Sequence, residues 1–215
     1  MKKIFIIILI PFSIFSQNTY EIAILKYNGG GDWYANPTSL PNLIEFCNNN
    51  IKTTINNKAA TVEVGSKDII NYPFIHMTGH GNVIFSDAEA ENLRNYLLGG
   101  GFLHIDDNYG MDQFIRRELK KVFPKNNLEE ISNDHPIYLK GKFIFNNGMP
   151  KIHTHDSKPA KAYGISVNGR LVCIYTHETD LSDGWEDQDV HNNTNENRIK
   201  ALKMGCNIIE YAFSN

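Results

Sequence analysis

Gly99-Gly-Gly-Phe-Leu-His-Ile-Asp-Asp-Asn-Tyr-Gly110 packs a turn, an apolar strand and a polar, glycine-terminated loop into one short stretch. Phe102, Leu103 and Ile105 supply the apolar run. His104, Asp106, Asp107 and Asn108 crowd its carboxyl end, and Met111 to Val122 then repeats apolar residues at helical spacing. In an open parallel sheet the ligand crevice lies outside the carboxyl ends of the strands, so ionisable groups gathered there are the first candidates for chemistry.

Upstream, Ser86 and Glu89 form a capping box, which starts a helix at Asp87 that buries Leu93, Leu97 and Leu98 and stops at Gly99 to Gly101. Tyr72 to Met77 is a strand ended by Thr78-Gly-His-Gly-Asn82, and Ala60 to Val64 is another. Thr38 or Ser39 can cap a helix with Pro41 in its first turn and Leu40, Leu43, Ile44 and Cys47 inside. The first strand, Glu21 to Tyr27, is stopped by Asn28-Gly-Gly-Gly-Asp32.

Downstream, the pattern loosens from Asn126 to Pro159, with a short strand expected near Lys142 to Phe145. Ala162 to Val167 and Arg170 to Tyr175 read as a hairpin turning at Asn168-Gly169. Thr176 to Asn195 is an acidic loop, and a last helix is expected over Glu196 to Phe213 with Ile199, Leu202, Cys206, Ile209 and Phe213 inside. Strands alternating with helices define an α/β fold: a three-layer sandwich around a mostly parallel, doubly wound sheet.

Met1-Lys-Lys3 followed by an apolar run from Ile4 to Phe15 and then Ser16-Gln17 has the form of a secretory signal peptide. The run falls short of the roughly 20 apolar residues that span a bilayer. Residues 1–16 are therefore expected to be removed, placing a single domain over 17–215 in the periplasm or outside the cell; an uncleaved N-terminal anchor is the alternative. Loss of Lys2 and Lys3 takes the formal charge from −3 to −5, which argues against nucleic acid as a partner. No other segment could span a membrane, and nothing in the sequence indicates an oligomeric state. The three cysteines form no Cys-x-x-Cys pair and read as buried thiols, with one disulfide still open to an exported chain.

Asp106 and Asp107 are adjacent, so on a strand they face opposite ways and only a loop lets both reach one ligand. One reading puts one in the crevice and the other on the next helix; the other has both serving one cation or substrate. His153-Thr-His-Asp156 places two imidazoles on one side of an extended segment, and His153, His155 and Asp156 are the candidate ligands for a divalent metal. The alternative is a set of hydrogen-bonded polar groups. His80, between two glycines, is an exposed crevice position, His104 reads as a core histidine, and His135 fits turn chemistry. Gly30 belongs to a loop that could present backbone N–H groups to an anion or simply turn Asp32, Trp33 and Tyr34 toward the crevice. Trp33, Tyr34, Tyr109 and Trp185 offer aromatic faces for a sugar, against the plainer reading that they pack loops. Asp180 to His191 resembles a lid or a cation-friendly surface more than a core element.

Four stretches resemble a bacterial domain-of-unknown-function family, number 4159: Lys26 to Tyr34, His76 to Gly81, Gly101 to Gly110 and Asp183 to Asp187. The resemblance covers nearly the whole expected mature chain and implies a fold similar to the class I glutamine amidotransferase group, a flavodoxin-like sandwich, without an established activity. Catalytic members of that wider group carry a cysteine at a strand-to-helix elbow, with a histidine and an acid after a later strand. Here Asp106 and Asp107 stand at the elbow, which argues against amidotransfer, while His177 and Glu178 look like the remnant of the base pair. The expectation is an exported polar-crevice domain binding a small polar or glycan-like ligand. In the hydrolytic version, Asp106 or Asp107 is base or nucleophile, His177 (with Glu178) is the acid–base partner, and His80, Asn108 and the aromatic residues help bind the ligand. The competing class is a non-catalytic cell-envelope binding module.

Overall fold

The computed structural model describes residues 19–214, so the expected signal peptide lies outside the described residues. Among the described residues seven strands form one sheet: β1 Ala23–Lys26, β2 Ala60–Glu63, β3 Phe74–Gly79, β4 Phe102–Asp107, β5 Glu129–Glu130, β6 Lys161–Val167 and β7 Arg170–His177. Their order is β2-β1-β3-β4-β7-β6-β5, with β2, β1, β3, β4 and β7 parallel and the β6 and β5 edge antiparallel. The helices are α1 Ser39–Asn50, α2 Asp87–Leu98, α3 Asp112–Val122, α4 Pro136–Leu139, α5 Leu181–Trp185 and α6 Asn195–Ser214. Among the described residues no helix is long and apolar enough to cross a membrane.

Strand alternation sorts the core into two layers. Leu25, Met77, Leu103, Ile105, Cys173 and Tyr175 pack with α2 and α3, whereas Ile22, Phe74, Phe102 and Ile174 pack with α1, α5 and α6. The result is a three-layer α/β sandwich. Most expected elements form, including the capping box, in which Ser86 Oγ accepts from Glu89 N–H and Glu89 Oε2 accepts from Ser86 N–H. The hairpin turns where Asn168 and Gly169 both take positive φ, 51° and 80°.

Four local expectations are corrected. Lys142 to Phe145 is not a strand, because the Asn207 amide on α6 takes both the N–H and the carbonyl of Phe143; Glu129–Glu130 pairs with β6 at the edge instead. Neither Thr38 nor Ser39 caps α1 with its hydroxyl. Thr38 accepts from Asp187 N–H and gives its own N–H to Glu186, so the segment after α5 covers the helix end. Leu98 and Phe213, expected inside, are exposed in the last turns of their helices. The Asp180 to His191 segment is partly core: α5 is buried along its whole length. All three cysteines are buried free thiols.

Candidate functional site

β4 remains a strand through Asp107, so its alternation sends Asp106 and Asp107 to opposite faces of the sheet. Neither expected arrangement is realised in full. Asp106 turns under α5 and is completely buried. Its Oδ1 accepts from the hydroxyls of Thr176 at 2.5 Å and Thr179 at 3.1 Å, and its Oδ2 from the N–H and hydroxyl of Ser182 at 2.7 and 2.6 Å. With both oxygens enclosed by donors, this carboxylate cannot serve as base or nucleophile toward a ligand in the crevice. Burial pushes its pKa up to about 6 against the pull of the Ser182 and Thr176 donors.

Beneath it lies a directed chain. Thr176 gives its proton to the Asp106 carboxylate and so accepts from His104 Nε2 at 3.1 Å. Burial holds both His104 and His76 neutral, His76 down to about 3, so His104 Nδ1 accepts from His76 Nδ1 at 3.1 Å. His104 is thus the core histidine expected. Trp185, expected as an aromatic face for a ligand, is also core: it is fully buried against both imidazoles, and its Nε1–H donates to the Ala201 carbonyl. Gly184 beside it is required by close approach, since a Cβ there would meet the Ala201 methyl of α6.

Asn108 carries the buried network outward. It accepts from the Thr78 hydroxyl and, with Asn36, donates to Asp183 Oδ1. That leaves Asp183 Oδ2 facing His153 Nδ1 at 3.3 Å, with Asp180 Oδ2 3.4 Å from the same nitrogen and 2.5 Å from His155 Nε2. His191 Nε2 lies 3.8 Å from Asp183 Oδ1. His153 and His155 share one side of their segment, which is anchored by Ile152 N–H donating to the Thr179 carbonyl. Asp180 and Asp183 hold the His153 pKa up, to about 10. Asp156 does not join them. Its carboxylate pairs with Lys158 at 3.0 Å and lies 4.0 Å from Lys151, so Asp180 takes the place expected for it.

Asp107, on the other face, caps α3 by accepting from Met111 N–H and also accepts from the Tyr175 hydroxyl. Burial raises its pKa against those donors. Tyr175 reaches Asp112 as well, whose Oδ1 also takes Arg116 Nε at 2.6 Å and lies 3.7 Å from His177 Nε2. Glu178 is 3.9 Å from the same His177 nitrogen and 3.3 Å from Lys151. Asp107, Asp112, Arg116, His177 and Glu178 line an open cleft of about 610 Å³ with Tyr109, Gly110, Lys158 and Tyr163. The Arg116 guanidinium lies over the Tyr163 ring at 4.4 Å.

Tyr109 joins the two groups, since it lines the cleft while its ring stacks on His155 at 4.6 Å between centroids. His80 stands apart in a third place. It pairs with Asp32 at 3.0 Å between the loops after β1 and β3, and the Trp33 ring packs edge-on against Tyr34 nearby. Gly30 takes φ 91° on this loop with nothing crowding it. The sequence candidates His80, Asp106, Asp107, His153, His155 and His177 thus share no single site: they are divided among three outward-facing clusters and one buried network.

Sequence reading missed Asp112, Arg116 and Lys158 as site residues and placed Asp180, Asp183 and His191 only in a generic lid. A usable signal was present: Asp180 and Asp183 are one helical turn apart and can face a common point. Backbone strain also marks the site. Of the six described non-glycine residues with positive φ, Tyr109, Glu178, Asp180 and Asn192 are within or next to these clusters, a conformation that costs of order 1 kcal/mol or more each.

Fold and site define a three-layer α/β protein with imidazole–carboxylate clusters at the carboxyl ends of its central strands. The chain belongs to the family described as Domain of unknown function (DUF4159), whose model matches residues 21–213. No curated protein matches it.

Proposed function

We propose that the protein is an exported hydrolase acting on a small polar or glycan-like ligand, built on a glutamine amidotransferase-like, flavodoxin-like framework that lacks the cysteine nucleophile. The observation that carries this reading is the concentration of left-handed backbone at Tyr109, Glu178 and Asp180 beside titratable groups, because such strain persists where surrounding structure enforces a functional geometry. Tyr109 and Tyr163 offer ring faces, and Arg116 and Lys158 offer charge to acidic or hydroxyl groups of the ligand. His177, between Asp112 and Glu178, is the proton-transfer group, and Asp107 orients the α3 end rather than attacking.

The test is turnover of a panel of chromogenic esters and glycosides. His177→Gln is expected to lower kcat/KM by about 100-fold or more while leaving the melting temperature within a few degrees of the parent. Equal activity of the variant on every substrate turned over would overturn the assignment.

A second reading, the non-catalytic cell-envelope binding module, is favoured by the strand end itself, where Asp107 is already engaged by Met111 and Tyr175. Under it, no panel substrate is hydrolysed, Tyr109→Ala weakens retention on envelope glycan, and His177→Gln leaves retention unchanged.

A further inference from the structure

We propose that His153 Nδ1, His155 Nε2, Asp180 Oδ2 and Asp183 Oδ2 form a binding site for one first-row divalent transition-metal ion, with Zn²⁺ the reference case and His191 at its rim. The proposal is independent of whether the neighbouring cleft catalyses a reaction.

Hydrogen bonds around His153 fix which of its nitrogens faces the carboxylates. Asn193 Nδ2 donates to the Asp183 carbonyl at 3.2 Å, which turns its Oδ1 toward His153 Nε2 at 2.9 Å. An amide oxygen only accepts, so Nε2 carries the proton and, in the neutral ring, Nδ1 presents its lone pair. Nδ1 faces two carboxylate oxygens at 3.3 and 3.4 Å. Nδ1, once deprotonated, and the two carboxylate oxygens turn on one point that a metal ion can occupy, and an outer amide that fixes the imidazole tautomer is the usual second partner of a metal-bound histidine.

Tetrahedral zinc with bonds of about 2.0–2.1 Å separates its ligand atoms by roughly 3.3 Å, which matches the two His153 to carboxylate separations. His153, His155 and Asp180 hold ligand atoms within 4.8 Å of one another, and Asp183 joins through His153; the 2.5 Å contact between His155 and Asp180 must open, and the His155 side chain is at the rim, 36% exposed.

Asp180 is 1% exposed and its Oδ1 has no hydrogen-bond partner among the described residues, and Asp183 is buried beside it. Among the described residues neither carboxylate is paired with lysine or arginine. A divalent ion would neutralise both carboxylates, and two imidazoles among the donors select a transition ion over Ca²⁺ or Mg²⁺.

The experiment is calorimetric titration of the chelator-treated full chain with Zn²⁺, followed by Co²⁺ loading to read the visible ligand-field bands. One ion per chain is expected, with affinity weakened about 100-fold or more by His153→Ala and by the rim variant His155→Ala, and unchanged by His80→Ala or His177→Gln. Should His153→Ala fail to fold, His155→Ala and the tetrahedral Co²⁺ spectrum of the parent carry the test. Absence of one-to-one binding, an octahedral Co²⁺ spectrum, or binding that survives His155→Ala but not His177→Gln would overturn the proposal.

Discussion

Trp185→Ala is expected to destabilise the protein by about 4 kcal/mol, the upper part of the range for truncating a fully buried aromatic residue. For a chain of this size that corresponds to a fall of roughly 10 °C in melting temperature. The indole is the largest fully buried side chain, it donates to the Ala201 carbonyl, and it rests against His76 and His104. Its loss would open a cavity between sheet and α6 that the surroundings cannot fill, since Gly205 on α6 is already in close approach to the same ring. Because α5 carries Asp183 and is preceded by Asp180, the variant is also expected to bind Zn²⁺ more weakly. A melting temperature within 2 °C of the parent, read by calorimetry, would show that the indole is not the wedge described here.

Asp106→Ala is expected to cost a similar amount, about 4 kcal/mol, for a different reason. The alanine would leave the Ser182 N–H and the Thr179 hydroxyl without their acceptor and take one of their partners from the Thr176 and Ser182 hydroxyls, and each orphaned buried donor costs about 1–3 kcal/mol. Asp106→Asn is milder, about 1–2 kcal/mol, because Thr176 can turn its proton to the Ile105 carbonyl 3.1 Å away and accept from the new amide. The pH dependence has a definite sign. With its folded pKa raised to about 6, Asp106 binds its proton more readily in the folded protein than in the unfolded chain. Its contribution is therefore fully present below the ordinary carboxylate range and is lost as pH rises through about 6. Denaturant unfolding of Asp106→Ala should show a larger deficit at pH 5 than at pH 8; an equal deficit, or none, would contradict the structural role.

The sequence displayed the fold more openly than the site, and the reason is periodicity. Apolar runs such as Phe102 to Ile105 and the helical spacing from Met111 to Val122 record burial directly, so the alternation of strands and helices was legible. The stretch Lys142 to Phe145 misled because its apolar residues resemble a strand, while its backbone partner, Asn207, is distant in the chain. Trp185 misled for a related reason: an acidic neighbourhood suggests solvent, yet Gly184 and α6 draw the segment into the core.

The site itself depends on parity and on contacts made at long range. That Asp106 and Asp107 diverge follows from strand alternation, but only the length of β4 decides that alternation persists through both. The shared orientation of His153 and His155 was readable from their spacing. Their partner was not, because nearby Asp156 is claimed by Lys158 and Lys151 while Asp180 arrives from the far end of β7.

Zinc K-edge X-ray absorption on the full chain loaded with one equivalent of Zn²⁺ tests most directly the claim that these four side chains form one centre. The expected spectrum has four light-atom ligands at about 2.0–2.2 Å with the outer-shell scattering of two imidazole rings. A sulfur shell at about 2.3 Å, or a spectrum without imidazole scattering, would contradict it.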